Sequence, residues 1–520
     1  MGILRPGHSV ATARIFLVVL PGFLLYGYNQ SCMGGVLSFD SFTKTFPQID
    51  TANTEGAVKK HNSTIQGTVV AIYTLGCLIG ALGTVPFGNR LGRRKSLVIV
   101  AFIALAGVVI QASSFSLPQL IVGRILGGIG TGGVNAIVPV WQSECTKPKS
   151  RGKNVIVLGT FIAIGVALAS WINLGLSFVE ESQAAWRFPL ALPSLFTLML
   201  AASTFVFPES PRWLISKGRI EEAKAALMIL EGQHAVSEAI DQEIDLMQRA
   251  MRQTRERGFI DIFRSAGHHQ RLIYRFCLAF GANFFALMTG ANAITYYATT
   301  IFKESLGFDE TKARILAAAV LTWKIVAAFS SFLLVDRVGR KPLFLASYLG
   351  MGVAMAGVAG TVSHIESYAS SIAAVFFIFF FMIWFPLGSL GANFLYSAEI
   401  APQDLRVHLA AIGTATHWLF NFVIAEATPT ALDTIGWKYY TIFAAVGFVG
   451  AAVVILFYPE TKGKSLEEMD DLFSGPAHWW NVAAYARTMG RSEISKFEDG
   501  ERSYEKELNE ERVEDTKLEK

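Results

Sequence analysis

Charge is scarce in this sequence. Of 520 residues only 17% are Asp, Glu, Lys or Arg, whereas 52% are hydrophobic; soluble domains carry roughly 25% charge. A chain of this length could form three or four soluble domains, but it could not wet their surfaces with so few charges. That excludes a disordered chain and an ordinary cytosolic enzyme. Net charge is only +4, from 45 Lys and Arg against 41 Asp and Glu. It gives no basic surplus for a polyanion, so no nucleic-acid partner is expected. Cysteine is scarce too. Cys32, Cys77, Cys145 and Cys277 are the four, all but Cys145 in apolar runs and none at a short motif spacing. Neither a disulfide framework nor a zinc site is suggested, and no metal is expected. No secretory cleavage pattern follows the first apolar run, which continues to about Leu37 as a first membrane helix would. No nucleophile–base pattern is present, so no catalytic residue and no cofactor are expected. Gly463-Lys464-Ser465 has Tyr458 where a Walker A sequence needs its upstream glycine, which disfavours pumping by ATP hydrolysis.

What the chain has instead is long hydrophobic runs. A membrane helix needs about 20 mainly apolar residues to cross a hydrocarbon core of about 30 Å. Such runs lie near 13–37, 66–88, 96–116, 118–142, 154–177 and 187–207, and again near 272–300, 313–335, 342–363, 371–396, 408–430 and 437–458. The expected fold is therefore an all-α membrane protein of twelve transmembrane helices in two six-helix halves, 13–207 and 272–458. Residues 1–12 form an N-terminus, 208–271 a linker with short helices, and 459–520 a tail. The linker segment Arg219 to Leu230 places Ile220, Ala223, Leu227 and Leu230 on one helical face. From Arg491 the tail holds 11 acidic and 7 basic residues, the composition of a disordered segment.

Basic residues orient the bundle. Arg90, Arg93, Arg94 and Lys95 follow span 2, Lys147, Lys149, Arg151 and Lys153 follow span 4, and Arg337, Arg340 and Lys341 follow span 8. Short connections rich in Lys and Arg belong in the cytosol, which places both termini and the linker there. Asn62-Ser63-Thr64 then falls on the external side, where Asn62 could accept a glycan. The two halves repeat. Asn89-Arg90-Leu91-Gly92-Arg93-Arg94-Lys95 is echoed by Asp336-Arg337-Val338-Gly339-Arg340-Lys341, and Glu144…Arg151 by Glu399…Arg406. Duplication of this kind is typical of transporters that bind substrate at the midplane between the halves. Gly128-Ile-Gly130-Thr-Gly132-Gly133 matches a dinucleotide fingerprint, but it lies in an apolar run with no preceding strand. Small residues there let helices pack closely.

The motifs resemble those of the sugar porters of the major facilitator superfamily, in wording most like fungal members. Carrying the resemblance are Gly123-Arg124…Gly128, Pro139-Val-Trp141-Gln-Ser-Glu144…Arg151-Gly152, Pro208-Glu-Ser-Pro-Arg212, Gly290-Ala-Asn292-Ala-Ile-Thr-Tyr296-Tyr297 and Pro459-Glu-Thr-Lys-Gly463. They cover about residues 15–475. The resemblance implies a cytosolic gate of ion pairs, and the charged helix ends suit one: Arg90, Arg93, Arg94, Glu144, Arg151, Asp336, Arg337, Arg340, Glu399 and Arg406. The bland alternative is that these charges only set topology. Asn89 stands where the family usually has an acid.

Polar groups at membrane depth are functional candidates because they cost several kcal/mol there. At about 1.5 Å per residue, Asn29 and Arg124 lie in the outer half, and Lys324 is about 18 Å from Asp336. His417 and Asn283 come to similar depths. Proton-coupled family members have Asp at the position of Asn29, near the Arg of span 4, and facilitative glucose carriers have Asn. Asn29, Arg124 and Glu426 are therefore the candidates for tuning coupling. By the same resemblance, Lys324 and His417 stand where hexose carriers have Asn, and Asn283 where they have Gln. Asn292, Tyr296 and Tyr297 are retained. A span 8 Lys is similar to the quinate-permease branch and suits an anionic polyol. Alternatively, Lys324 pairs with an internal acid such as Glu426, or is neutral through desolvation. Trp384 and Phe394 could stack on a sugar face, or simply pack.

The expected substrate-binding set is Asn283, Asn292, Tyr296, Tyr297, Lys324, Trp384 and His417. The expected function is a multi-pass plasma-membrane carrier of a monosaccharide, polyol, quinate or sugar acid, facilitative or proton-coupled, working by alternating access. Its partners would be that small polar substrate, membrane lipid and, if coupled, protons; a monomer is the default state. A non-transporting nutrient sensor and an efflux carrier of a secondary metabolite are the rival readings.

Overall fold

Lipid offers the backbone no hydrogen-bond partners, so a spanning segment must satisfy its own amides, and helices do so. The computed structural model describes residues 8–51, 53–145, 151–179, 181–231, 238–253, 271–365, 367–402, 405–464, 466–474, 481–483 and 485–486, and among these no strand occurs. Eleven stretches are long and apolar enough to cross a membrane. Spans 1 to 6 are Thr12–Val36, Gly56–Gly88, Arg93–Ala112, Leu117–Glu144, Val157–Val179 and Gln183–Ser203. Spans 7 to 10 are Leu272–Ser305, Glu310–Val335, Arg340–Val362 and Tyr368–Glu399, and span 12 is Lys438–Phe457. Span 11, the 30-residue helix Arg406–Ile435, carries His408, His417, Asn421 and Glu426 along its mainly apolar run. The twelve expected spans are thus all helical, six on each side of the central insert.

Four of them differ from expectation, span 6 in being divided at Leu192 into Gln183–Ala191 and Pro193–Ser203. Span 2 starts at Gly56, ten residues before its apolar run, and takes in the sequon. Span 7 is broken into Leu272–Met288 and Ala291–Thr300, and span 10 into Tyr368–Gly388 and Ala392–Glu399. Breaks at membrane depth are tolerated where neighbouring helices bury the freed backbone.

The duplication appears at the ends of spans 2 and 8. Each passes into the next helix through one glycine, Gly92 at φ 89° and Gly339 at φ 101°, a backbone region that side chains rarely adopt. A Cβ there would also stand 2.6 Å from Glu209 Oε2 or 2.7 Å from Glu460 Oε2. Those carboxylates cap the helices that follow. Glu209 accepts from the amides of Arg93 (3.0 Å) and Arg94 (3.1 Å); Glu460 accepts from Arg340 and Lys341, both at 3.0 Å. A negative charge on free N-terminal amides is favourable electrostatically as well. The Pro-Glu segments after spans 6 and 12 therefore fasten each half at the end bearing Arg93 and Arg340, hereafter the basic end.

Glycine in span 4 serves packing. Cβ atoms on Gly128 and Gly132 would fall 2.2 Å from the carbonyl oxygen of Tyr73 and 2.0 Å from that of Cys77 in span 2. The dinucleotide-like spacing is thus a helix–helix contact. In the insert, helices Pro211–Ser216, Ile220–Glu231 and Glu238–Gln253 share a small core of Trp213, Leu214, Ala223, Leu227, Ile240 and Ile244. Of the expected face, Ala223 and Leu227 lie in this core with Ile220 packed at its edge, whereas Leu230 packs against the main bundle. The expected disordered tail from Arg491 lies outside the described residues.

The halves meet chiefly where span 2 lies along span 11 and span 5 along span 8. Contact is at backbone distance. A Cβ on Gly34 would be 2.0 Å from the carbonyl oxygen of Tyr296, on Gly67 2.5 Å from that of Glu426, and on Gly159 2.5 Å from that of Leu390. The first two contacts close the end opposite the basic one. Arg314 adds to them, donating to the carbonyl oxygen of Ser38 at 3.2 Å.

Candidate functional site

At the basic end, charge pairs link helices within each half. Arg93 grips Glu144 through Nε (2.8 Å) and Nη2 (2.7 Å). Arg340 grips Glu399 likewise, at 3.2 and 2.8 Å. Each arginine also reaches the carbonyl of the preceding helix, Gly88 at 3.0 Å and Val335 at 3.3 Å. Thr461 donates to Glu399 at 2.6 Å. Of the expected gate residues, Arg93, Glu144, Arg340 and Glu399 come together, and Arg94 joins through its amide on Glu209. Arg90 and Arg337 are exposed and stand apart. The side chains of Arg151, Asp336, Arg406 and Asn89 lie outside the described residues. Glu144 and Glu399 are bidentate partners of the arginines opening spans 3 and 9, which sequence proximity to Arg151 and Arg406 did not suggest.

The interior between the halves is polar where spans 1, 7 and 11 converge. Tyr26 Oη and His417 Nε2 are 2.8 Å apart across the interface, both buried. Gln30 donates to the same hydroxyl at 3.0 Å. One turn beyond His417, Asn421 Oδ1 accepts from Tyr296 (2.8 Å) and Asn292 (3.0 Å). Tyr297 donates to the carbonyl of Ala425 at 2.8 Å. Phe394 meets the His417 ring at 5.0 Å between centroids. Two polar atoms in this group are buried without a hydrogen-bond partner among the described residues, His417 Nδ1 and Asn421 Nδ2. Such atoms are costly when unsatisfied; a ligand rich in hydroxyls would satisfy them. Tyr26, Gln30 and Asn421 are not among the residues expected from the sequence. The signal was available as four-residue spacings, Tyr26 with Gln30 and His417 with Asn421, each placing two polar groups on one face.

Other expected site residues are held differently. Lys324 is 1% exposed; its Nζ donates to Thr295 Oγ1 at 3.3 Å and lies 5.2 Å from the centre of the Phe385 ring. Pairing with Glu426 does not occur, because Glu426 Oε1 instead accepts from Thr68 of span 2 at 2.7 Å. Asn283 is fully engaged in bracing span 7 to span 10: it accepts from Asn393 at 2.9 Å and donates to Ser397 at 3.3 Å. Lys324, His417 and Asn283 do not hydrogen-bond one another among the described residues; each bonds a different neighbour. Trp384 lies against Gly350 of span 9, where a Cβ would be 2.3 Å from its ring. It packs two spans of one half, and Phe394 is the aromatic next to the polar group.

Asn29 and Arg124 do not bond each other. Asn29 donates back to the carbonyl of Leu25 at 2.9 Å. Arg124 donates to the carbonyl of Val70 at 2.9 Å and covers the Tyr73 ring at 5.2 Å, tying span 4 to span 2. The glycan expectation at Asn62 also meets an obstacle. Its side chain is buried and its Nδ2 donates to the carbonyls of Asp50 (2.8 Å) and Pro47 (3.3 Å). A sugar on that nitrogen would break both bonds and displace the 47–50 turn.

Comparison with known proteins bears on the family and the fold. The family model described as sugar (and other) transporter matches residues 15–473. "Sugar transporter STL1" of Saccharomyces cerevisiae is 33% identical over 519 residues, covering 97% of this chain and 90% of that protein. "Quinate permease" of Neurospora africana is 30% identical over 472 residues, covering 86% of each chain. Among solved structures, the proton:xylose symporter XylE bound to 6-bromo-6-deoxy-D-glucose superimposes with a TM-score of 0.73 at 25% identity, covering 89% of this chain and 99% of that one.

Proposed function

The chain belongs to the sugar (and other) transporter family, and from that premise we propose that it carries a polyhydroxy compound across a membrane by alternating access. The substrate class is a monosaccharide, a polyol or a sugar acid. The observation that carries the reading is the polar group between the halves, with His417 Nδ1 and Asn421 Nδ2 buried and unmatched. Hydroxyl groups both donate and accept, so one ring or chain of them could bond both atoms while bridging span 11 to span 1. Binding there would draw the halves together at either end in turn.

Mechanistically, the backbone contacts at Gly34 and Gly67 hold the external end shut, and Arg93–Glu144 with Arg340–Glu399 order the helix ends on the cytosolic side. Placement of the basic end in the cytosol follows the Lys and Arg bias, and puts both termini there in a plasma-membrane carrier. Lys324 supports an anionic substrate. Its amine is buried against one hydroxyl and one ring with no carboxylate paired to it among the described residues, and the charged form would be costly there without a counter-charge. A carboxylate on the substrate would supply that charge. Saturable uptake of D-glucose, D-xylose, sorbitol, quinate or D-glucuronate by proteoliposomes tests the proposal; absence of saturable flux for all of them would refute it.

A further inference from the structure

Asn29 carries no titratable proton and is satisfied within its own helix, so an uphill carrier of this sequence needs its proton elsewhere. His417 is the one histidine in the interior of a span; His61 and His408 lie near helix starts. It is 7% exposed at about 17 Å from the start of its helix, near the midplane. Unlike Glu426, which bonds Thr68 about 13 Å further toward the external end, it lies between the halves near the midplane, where alternating access would expose it to each side in turn. Among the described residues its one side-chain hydrogen bond runs to the other half, to Tyr26 Oη.

We propose that His417, bonded to Tyr26 across the interface between the halves, is the proton-binding group that couples transport to a proton gradient. This inference rests on the transport reading above. Because Gln30 donates to Tyr26 Oη, the phenol proton is left for His417 Nε2, and in the neutral ring the second hydrogen sits on Nδ1. Protonation puts a hydrogen on Nε2 as well, reversing the direction of the Tyr26 bond, since both imidazolium nitrogens are donors. The proton thereby changes the contact that must break when the halves rock apart. Taken from external water onto Nε2 in the outward-open state, it is returned to cytosolic water in the inward-open state, one per cycle, with no bond to carbon made or broken.

The groups facing His417 leave it free to act this way. Span 1 presents Tyr26, and span 2 presents Cys77 beside that tyrosine. Span 10 presents Phe394 and span 11 Trp418. Span 7 presents Tyr296 one turn outward at Asn421, and Lys324 of span 8 is held at Thr295. No salt bridge to His417 is formed among the described residues.

The test is the end point of accumulation in proteoliposomes under an imposed inward proton gradient, using whichever of D-glucose, D-xylose, sorbitol, quinate or D-glucuronate gives saturable flux. Wild type should accumulate it several-fold above equilibrium, and a protonophore should abolish that excess. His417→Gln, which also alters the polar group proposed to bind substrate, should slow flux and bring the same compound at most to equilibrium, a ratio of one. Tyr26→Phe removes the partner and should shift the pH midpoint of uptake. Flux in wild type without accumulation overturns the coupling proposal while leaving carrier function intact. Unchanged accumulation in His417→Gln, or an unmoved midpoint in Tyr26→Phe, also overturns it. Loss of exchange at symmetric pH in both variants marks the bond as structural and does the same. No flux in wild type refutes the transport reading itself.

Discussion

Substituting Gly34 with alanine tests how the external end closes. In the structure the new Cβ would stand 2.0 Å from the carbonyl oxygen of Tyr296, whereas carbon–oxygen contacts between packed helices are about 3.3–3.6 Å. Spans 1 and 7 must therefore separate by more than about 1 Å, and both partners are backbone, so no side chain can swing aside. Overpacking of this kind costs about 1–3 kcal/mol. Charged to the closed state alone, that amounts to a population shift of about 5–150-fold toward the externally open one. Initial uptake at saturating substrate should fall by a factor in that range. Thr299→Cys, buried in the cleft beside the contact, should react faster with an impermeant thiol reagent added outside. Gly83→Ala is the control, since nothing lies within 4 Å of its Cβ position. Uptake of Gly34→Ala within twofold of wild type, with unchanged labelling, would refute the closure described here.

Three further outcomes follow from the same geometry. Lys324→Asn should lower the preference for quinate or glucuronate over sorbitol by about 10–150-fold, the loss of one charge-assisted hydrogen bond of about 1.5–3 kcal/mol; competition uptake reads the ratio, and an unchanged ratio removes Lys324 from recognition. Arg93→Ala and Glu144→Gln should each lower thermal stability in detergent, and the double variant should lose less than the sum because no orphaned charge remains; strict additivity would show the pair to be uncoupled. Asn62→Gln should leave gel mobility unchanged with or without glycosidase treatment, and a faster-running variant would mean that the buried amide is reached by the glycosylation machinery.

Much of the architecture was legible because lipid imposes simple rules. Apolar length located twelve helices, and the duplicated Arg-x-Gly-Arg turns located the repeat. The charge pairs were legible in kind but not in partner. Glu144 bonds Arg93, 51 residues away, since the turn at Gly92 carries that arginine back across the end of span 4; spacing along the chain holds no record of such a return. The central site was half legible. Polar residues at depth could be named, yet their contacts depend on how helices rotate against one another, which periodicity leaves open in helices apolar on most sides. Asn283 and Trp384 accordingly turned out to brace helices within the C-terminal half, while Tyr26, Gln30 and Asn421 belong to the polar group between the halves. The sequon at Asn62 read as a loop because its polar neighbours hid the extra turns of span 2.

Uptake by proteoliposomes across the panel of D-glucose, D-xylose, sorbitol, quinate and D-glucuronate, at external pH 5 and 7, is the most direct test of carrier function. Saturable flux is expected for at least one member, competed by its relatives and reduced by Asn421→Ala. Folded protein with no saturable flux for any member at either pH would contradict it.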